Sequence, residues 1–235
     1  MPIKATDTSI GNAARPAGIA FLTIVIGYTL SWTLIYSKII VPGNDVATVN
    51  NIVQNELLVR IGVLSDLAIA IASIILSWAL YVMLKPIDRN ISLLGLIIRL
   101  MDPIIALGTV AASFIVLQLL HGAQYSTAFT PDQLLPFVGL IFNLHTSAAA
   151  IPMVFACLGF IVFFSVLIRT KIVPKTVTLF GLGSYGLILV YIMFKVLGLT
   201  SSTSLLANTE MLFYFPSVLF ELLIGFWLVL KRGPF

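Results

Sequence analysis

Between residues 91 and 120 the chain runs apolar for long enough to cross a bilayer, yet this stretch carries Arg99, Asp102 and Pro103 near one end. A charge at membrane depth costs at least a few kcal/mol unless it is paired or hydrated. Any fold open to this chain must therefore bring partners to Arg99 and Asp102, and the other helices have to be arranged around that need.

Composition agrees with a membrane setting. Of the 235 residues 60% are hydrophobic and 9% charged, with a mean hydropathy of +1.10. Soluble domains carry roughly 25% charged residues, so water is a poor solvent for any fold of this chain. Nucleic-acid binding is excluded as a reading despite a pI near 9.3, because the basic residues gather at span ends and not along one face. A lone Cys157 in an apolar run rules out an intrachain disulfide and a thiolate metal cluster.

Spans need about 20 apolar residues each. Six are expected: residues 17–40, 59–84, 91–120, 145–168, 177–198 and 211–230. Polar residues 1–16 are read as a segment ahead of an uncleaved first span, since the apolar run is long for a signal peptide. Residues 131–143 suggest an interfacial or re-entrant segment before the fourth span, which Pro152 is expected to kink. With six spans one side receives Lys4 and Arg15, Lys85 and Arg89, Arg169, Lys171 and Lys175, and Lys231 and Arg232. The positive-inside rule then puts both termini in the cytoplasm of a cell whose inner membrane houses the protein. On the other side Pro42-Gly43-Asn44-Asp45 has turn chemistry, and Asp45 is placed to N-cap a short amphipathic helix carrying Val46, Val49, Ile52 and Val53. Trp32, Tyr36, Trp78, Tyr81 and Trp227 are read as interface anchors.

Several short stretches together resemble one family. Asn55-Glu56-Leu57-Leu58-Val59-Arg60-Ile61-Gly62 with Asp66-Leu67 resembles the start of the second span in the bacterial domain-of-unknown-function 4386 family. Ala79-Leu80-Tyr81-Val82-Met83-Leu84-Lys85-Pro86-Ile87-Asp88-Arg89, the following Arg99, Leu144-His145, Val173-Pro174 and Glu221-Leu222 fit the same pattern. The resemblance runs from about Arg15 to Lys231 and implies a six-span membrane protein. It implies no activity.

Helix rise gives depths. At about 1.5 Å per residue, Arg99 lies about 12 Å, Asp102 about 16 Å and Glu221 about 15 Å from the inner span ends. These share one level, so an Arg99–Glu221 pair with Asp102 beside it is expected. Asp66 and Lys195 fall about 27 Å along, with His145 about 35 Å along, which suggests an outer cluster in which Asp66 meets Lys195. Three acids against two bases leave an excess carboxylate that needs a proton, a cation, or help from Arg60 or His145. These charges either pin the helices together or form a binding site.

Other signals carry less. Gly181-Leu182-Gly183-Ser184-Tyr185-Gly186 has the spacing of a dinucleotide fingerprint, but within a membrane span it reads as close helix packing. His121 and His145 could ligate a metal or haem, yet a loop separates them and they lack tight ligand spacing, so they read as interface histidines. No catalytic motif is present, and no metal site is assigned. Ser73 with Ser77, and Thr109 with Ser113, read as helix–helix hydrogen bonders.

The expected fold is all-α: a polytopic transmembrane six-helix bundle, residues 1–235 forming one integral membrane domain, with a short amphipathic helix on the outer side. The expected function is non-catalytic: an accessory subunit of a membrane complex, or a binder of a lipophilic molecule through Arg99, Asp102, Glu221, Asp66, Lys195 and His145. A small proton- or cation-coupled transporter is the alternative, and an intramembrane lipid-modifying enzyme the second. The expected partners are the bilayer and either a membrane subunit or a lipophilic ligand; no cofactor is assigned.

Overall fold

A computed structural model describes residues 4–121, 138–139, 150–200 and 209–230. Among these, seven helices carry the fold: α1 (Lys4–Ser31), α2 (Asp45–Gln54), α3 (Glu56–Leu84), α4 (Arg89–His121), α5 (Ala150–Leu167), α6 (Lys175–Val196) and α7 (Glu210–Leu230). Among the described residues there is no strand. All but α2 are long and apolar enough to cross a membrane. The protein is thus an all-α integral membrane protein with six spans, as its apolar runs require.

The chain divides into two compact units. One comprises residues 1–25, 72–103 and 150–235; the other comprises residues 26–71 and 104–149.

In the first unit α1 starts well before the expected span. Pro16 lies inside the helix and does not end it. Ile10, Ala14, Ala17, Phe21 and Ile24 are buried at steps of three or four residues, with Ala13 buried beside them, so the segment before Pro16 has a packing face of its own. The polar residues interspersed among these conceal that spacing in the sequence. Proline removes one helical bond, a loss that membrane helices absorb when neighbours compensate.

Small residues set how closely helices approach here. A Cβ on Gly18 would stand 2.8 Å from the Gly225 carbonyl oxygen, so α1 and α7 touch backbone to backbone. A Cβ on Gly159 of α5 would stand 2.6 Å from Arg99 Cβ and 2.8 Å from Arg99 Cα on α4. Helix α6 packs against both α5 and α7. Within the glycine run of α6, Gly181 meets a neighbour: a Cβ there would stand 2.5 Å from the Phe220 ring. Gly183 and Gly186 face open space among the described residues. The close-packing role expected of three glycines thus falls to one.

In the second unit the chain leaving α1 winds as a π-helix over Trp32–Tyr36 and makes one last α-turn at Ser37–Ile39. Ile40 is extended, and Gly43 takes a φ of +73° in the turn that follows. Asn44 caps α2, its side-chain oxygen accepting from Ala47 N at 2.9 Å. Asp45, the expected cap, instead lies one residue further on, in the first turn, where its charge suits the positive end of the helix dipole. Thr48, Val49 and Ile52 are buried, while Val46 and Val53 are both 55% exposed, so the buried stripe is narrower than the apolar spacing suggests. Ile35, Tyr36, Ile39, Ile52, Val59 and Leu117 form the core of this unit.

Residues 131–137 and 140–149, which hold the expected re-entrant segment and the start of the fourth span, lie outside the described residues. Pro152 lies in the first described turn of α5 and is buried.

The glycine contacts make a paired prediction. Gly159→Ala should lower the unfolding midpoint in detergent, since the methyl meets Arg99 backbone and overpacking costs about 1–3 kcal/mol. Gly183→Ala, with nothing within 4 Å, should leave it unchanged. Equal midpoints for the two variants in a thermal melt would count against the α4–α5 contact.

Candidate functional site

Arg99 lies on α4 and is 3% exposed. Its Nη1 donates to Asp102 Oδ2, three residues on, where the helix places both side chains on one face. The same Asp102 oxygen accepts from Ser73 Oγ of α3 at 3.0 Å. The guanidinium lies over the Phe160 ring of α5, 4.4 Å from its centre, a cation–π contact that strengthens away from water. Arg99 therefore has a counter-ion from its own helix and an aromatic face from the next. Its Nε has no hydrogen-bond partner among the described residues.

Phe160 leads on to the second acid. Its ring centre is 4.4 Å from that of Tyr185 on α6. Tyr185 is 2% exposed, and its hydroxyl donates to Glu221 Oε1 of α7 at 2.5 Å. Phe21, Phe164 and Phe220 complete the aromatic surround. Glu221 itself is only partly buried. Arg99 and Asp102 both act on it electrostatically, so the three charges occupy one region.

The expected Arg99–Glu221 ion pair is not formed. Within 4.0 Å Arg99 meets Asp102, and Glu221 takes the Tyr185 hydroxyl. The reason is geometric: an acid one turn away on the same helix reaches the guanidinium first, and Phe160 and Tyr185 supply aromatic surface beside it.

The outer residues are likewise given other partners. Lys195 Nζ lies 3.6 Å from Glu210 Oε1, with both side chains well exposed. Such a pair contributes little to stability. In the second unit Asp66 Oδ2 accepts from the Tyr36 hydroxyl, and Ser31 and Ser65 hydroxyls meet at 2.7 Å. Gly62 leaves room for this: a Cβ there would stand 3.3 Å from Tyr36 Oη. Glu56 and Arg60 pair at 2.5 Å as their spacing predicts. His145 and the side chain of His121 lie outside the described residues. Among the described residues no group of three His, Cys, Asp or Glu could hold a metal ion.

Tyr185 and Tyr36 are the residues that sequence reading misses. Tyr36 reads as an interface anchor by its position, yet it is 6% exposed and serves Asp66. Trp32, at 57% exposure, keeps the exposed position that an interface anchor needs. A tyrosine hydroxyl buried in an apolar run needs an acceptor, and that need is the signal the sequence offers. Ser73 does bridge helices, as its spacing suggests, whereas Ser77 and Thr109 turn back onto their own helices at Ser73 and Ala106 carbonyls.

A family model described as Domain of unknown function (DUF4386) matches residues 16–231. The chain belongs to the DUF4386 family. That match covers Arg99, Asp102, Tyr185 and Glu221, so the charged region lies in the part the family model describes. No curated protein and no solved structure matches this DUF4386 chain.

Asp102→Ala would leave the buried Arg99 cation without its counter-ion, a change that typically costs about 3–5 kcal/mol. The variant should melt well below the native protein in detergent, with Ser73→Ala losing only about 1 kcal/mol. A native melting curve for Asp102→Ala would show that the ion pair does not hold the fold.

Proposed function

We propose that this protein is a non-catalytic six-span protein of the cytoplasmic membrane that binds a lipophilic molecule, with Glu221 receiving the ligand's hydrogen-bond donor. One observation carries the reading. Glu221 lies inside a membrane span and is only partly buried as a residue, its carboxylate's bond within the protein comes from a neutral phenol, and no cation lies within 4.0 Å of it among the described residues. A carboxylate at that depth calls for a further donor or a proton. Tyr185 fixes the carboxylate's orientation, and the apolar rings of Phe21, Phe160, Phe164 and Phe220 suit a ligand that is otherwise hydrocarbon. Arg99 and Asp102 neutralise each other and act as the scaffold beside it. A hydroxyl or amine on a lipid-soluble body is the ligand chemistry that fits. If the protein works as an accessory subunit, this same site receives the molecule that its partner handles.

The orientation proposed with it puts both termini in the cytoplasm, supported by basic residues at Lys85, Arg89, Arg169, Lys171 and Lys175 between spans.

A second reading is a proton- or cation-coupled carrier. It is favoured by charge balance in the first unit, where Asp102 and Glu221 stand near one buried base among the described residues, Arg99. The lipid-enzyme reading rests on Asp66 and His145 together, and His145 lies outside the described residues.

Native mass spectrometry of the mildly solubilised protein tests the binding reading. The native chain should carry a lipophilic adduct, and Glu221→Gln should lose most of it while melting as the native chain does. Equal occupancy in both would end the proposal. Proton-dependent flux in liposomes that disappears in Glu221→Gln would move the assignment to the carrier.

A further inference from the structure

We propose that the foot of α7 and the segment joining α5 to α6 form a binding site for an anionic glycerophospholipid. The observations are separate from those at Glu221. Leu223, Phe226, Trp227 and Leu230 form an exposed apolar stripe on one face of α7, bordering about 410 Å³ of open space. Trp227 Nε1 donates to the Ile172 carbonyl at 3.1 Å. This bond ties the ring to the α5–α6 connection, where Ile172 and Val173 are buried and Lys171 and Lys175 are exposed. Arg169, further back, lies 3.8 Å from Asp88 and is 56% exposed.

The arrangement has the two halves a phospholipid needs. The stripe offers apolar surface running along a span, suited to an acyl chain. The indole has its polar edge on a backbone carbonyl and its ring in the stripe, so it marks where hydrocarbon gives way to headgroup. The tethered segment carries Lys171, next to the carbonyl that holds Trp227, and Lys175, four residues on. Asp88 pairs with Arg169, and among the described residues no carboxylate lies within 4.0 Å of Lys171 or Lys175. The surplus positive charge selects an anionic headgroup over a zwitterionic one. Each lysine near a membrane surface is worth roughly fivefold in affinity for anionic lipid.

Titrating the full-length protein in detergent with phosphatidylglycerol or phosphatidylcholine, read by native mass spectrometry, tests the site. Phosphatidylglycerol should bind preferentially, and K171Q with K175Q should lower that preference by about 25-fold. Brominated lipids then locate it. In a W32F/W78F background, which leaves Trp227 alone, brominated phosphatidylglycerol should quench fluorescence more than brominated phosphatidylcholine, and the lysine variant should remove the difference. Equal binding of the two lipids, or a preference that survives loss of both lysines, overturns the proposal. The mass-spectrometric comparison decides by itself if the tryptophan background does not fold. Glu221→Gln should leave the lipid preference unchanged, which separates this site from the one proposed above.

Discussion

The ion pair between Arg99 and Asp102 is the constraint on which the first unit depends. A guanidinium at membrane depth cannot rely on water, and here it relies on three elements at once. Its own helix supplies Asp102, α3 supplies Ser73 to the same carboxylate oxygen, and α5 supplies the Phe160 face. Gly159 lets α5 approach until its backbone touches that of Arg99. Bulk at Gly159 would push Phe160 off the cation, so packing and electrostatics at this point are one requirement. A buried pair is not in itself a large source of stability, because desolvation offsets most of the attraction. Its consequence is specificity: helices arranged in another way would leave the charge exposed to lipid.

Two carboxylates in the spans share a second device. Glu221 takes the hydroxyl of Tyr185, and Asp66 takes that of Tyr36. A phenol gives a charge-assisted hydrogen bond without adding a charge of its own. It orients the acid and leaves its electrostatic demand to be met otherwise. This distinguishes Glu221 from Asp102, whose demand Arg99 meets. The two acids differ in what they can do because their neighbours differ.

The local structure is adapted to both arrangements. At Tyr36 the π-turn alters the helical register just before the ring that reaches Asp66, as inserted residues in helices do near functional groups. Around Glu221 the adaptation is in side-chain size. Gly181 and Gly225 allow Phe220 and Leu22 to fill space that a larger residue would take. Membrane helices gain little from the hydrophobic effect between themselves, so such close contacts matter more than in water.

Much of this is legible in the chain itself, and the divide has a physical cause. The six spans, the helix after the Pro42–Asn44 turn, the Glu56–Arg60 pair and the gathering of Arg99, Asp102 and Glu221 in one region follow from hydropathy, turn chemistry and helix rise, which are local properties. Local spacing also placed Asp102 within reach of Arg99. The choice of Asp102 over Glu221, the service of both acids by tyrosines, and the release of Lys195 to Glu210 were decided by tertiary structure. Those depend on how each helix is rotated and how near its neighbour it lies. Rotation and distance are set by contacts such as Gly159 on Arg99 and Gly18 on Gly225, between residues far apart in sequence. Hydropathy along one helix determines that it crosses the membrane, and only its neighbours determine which side chain each buried charge meets.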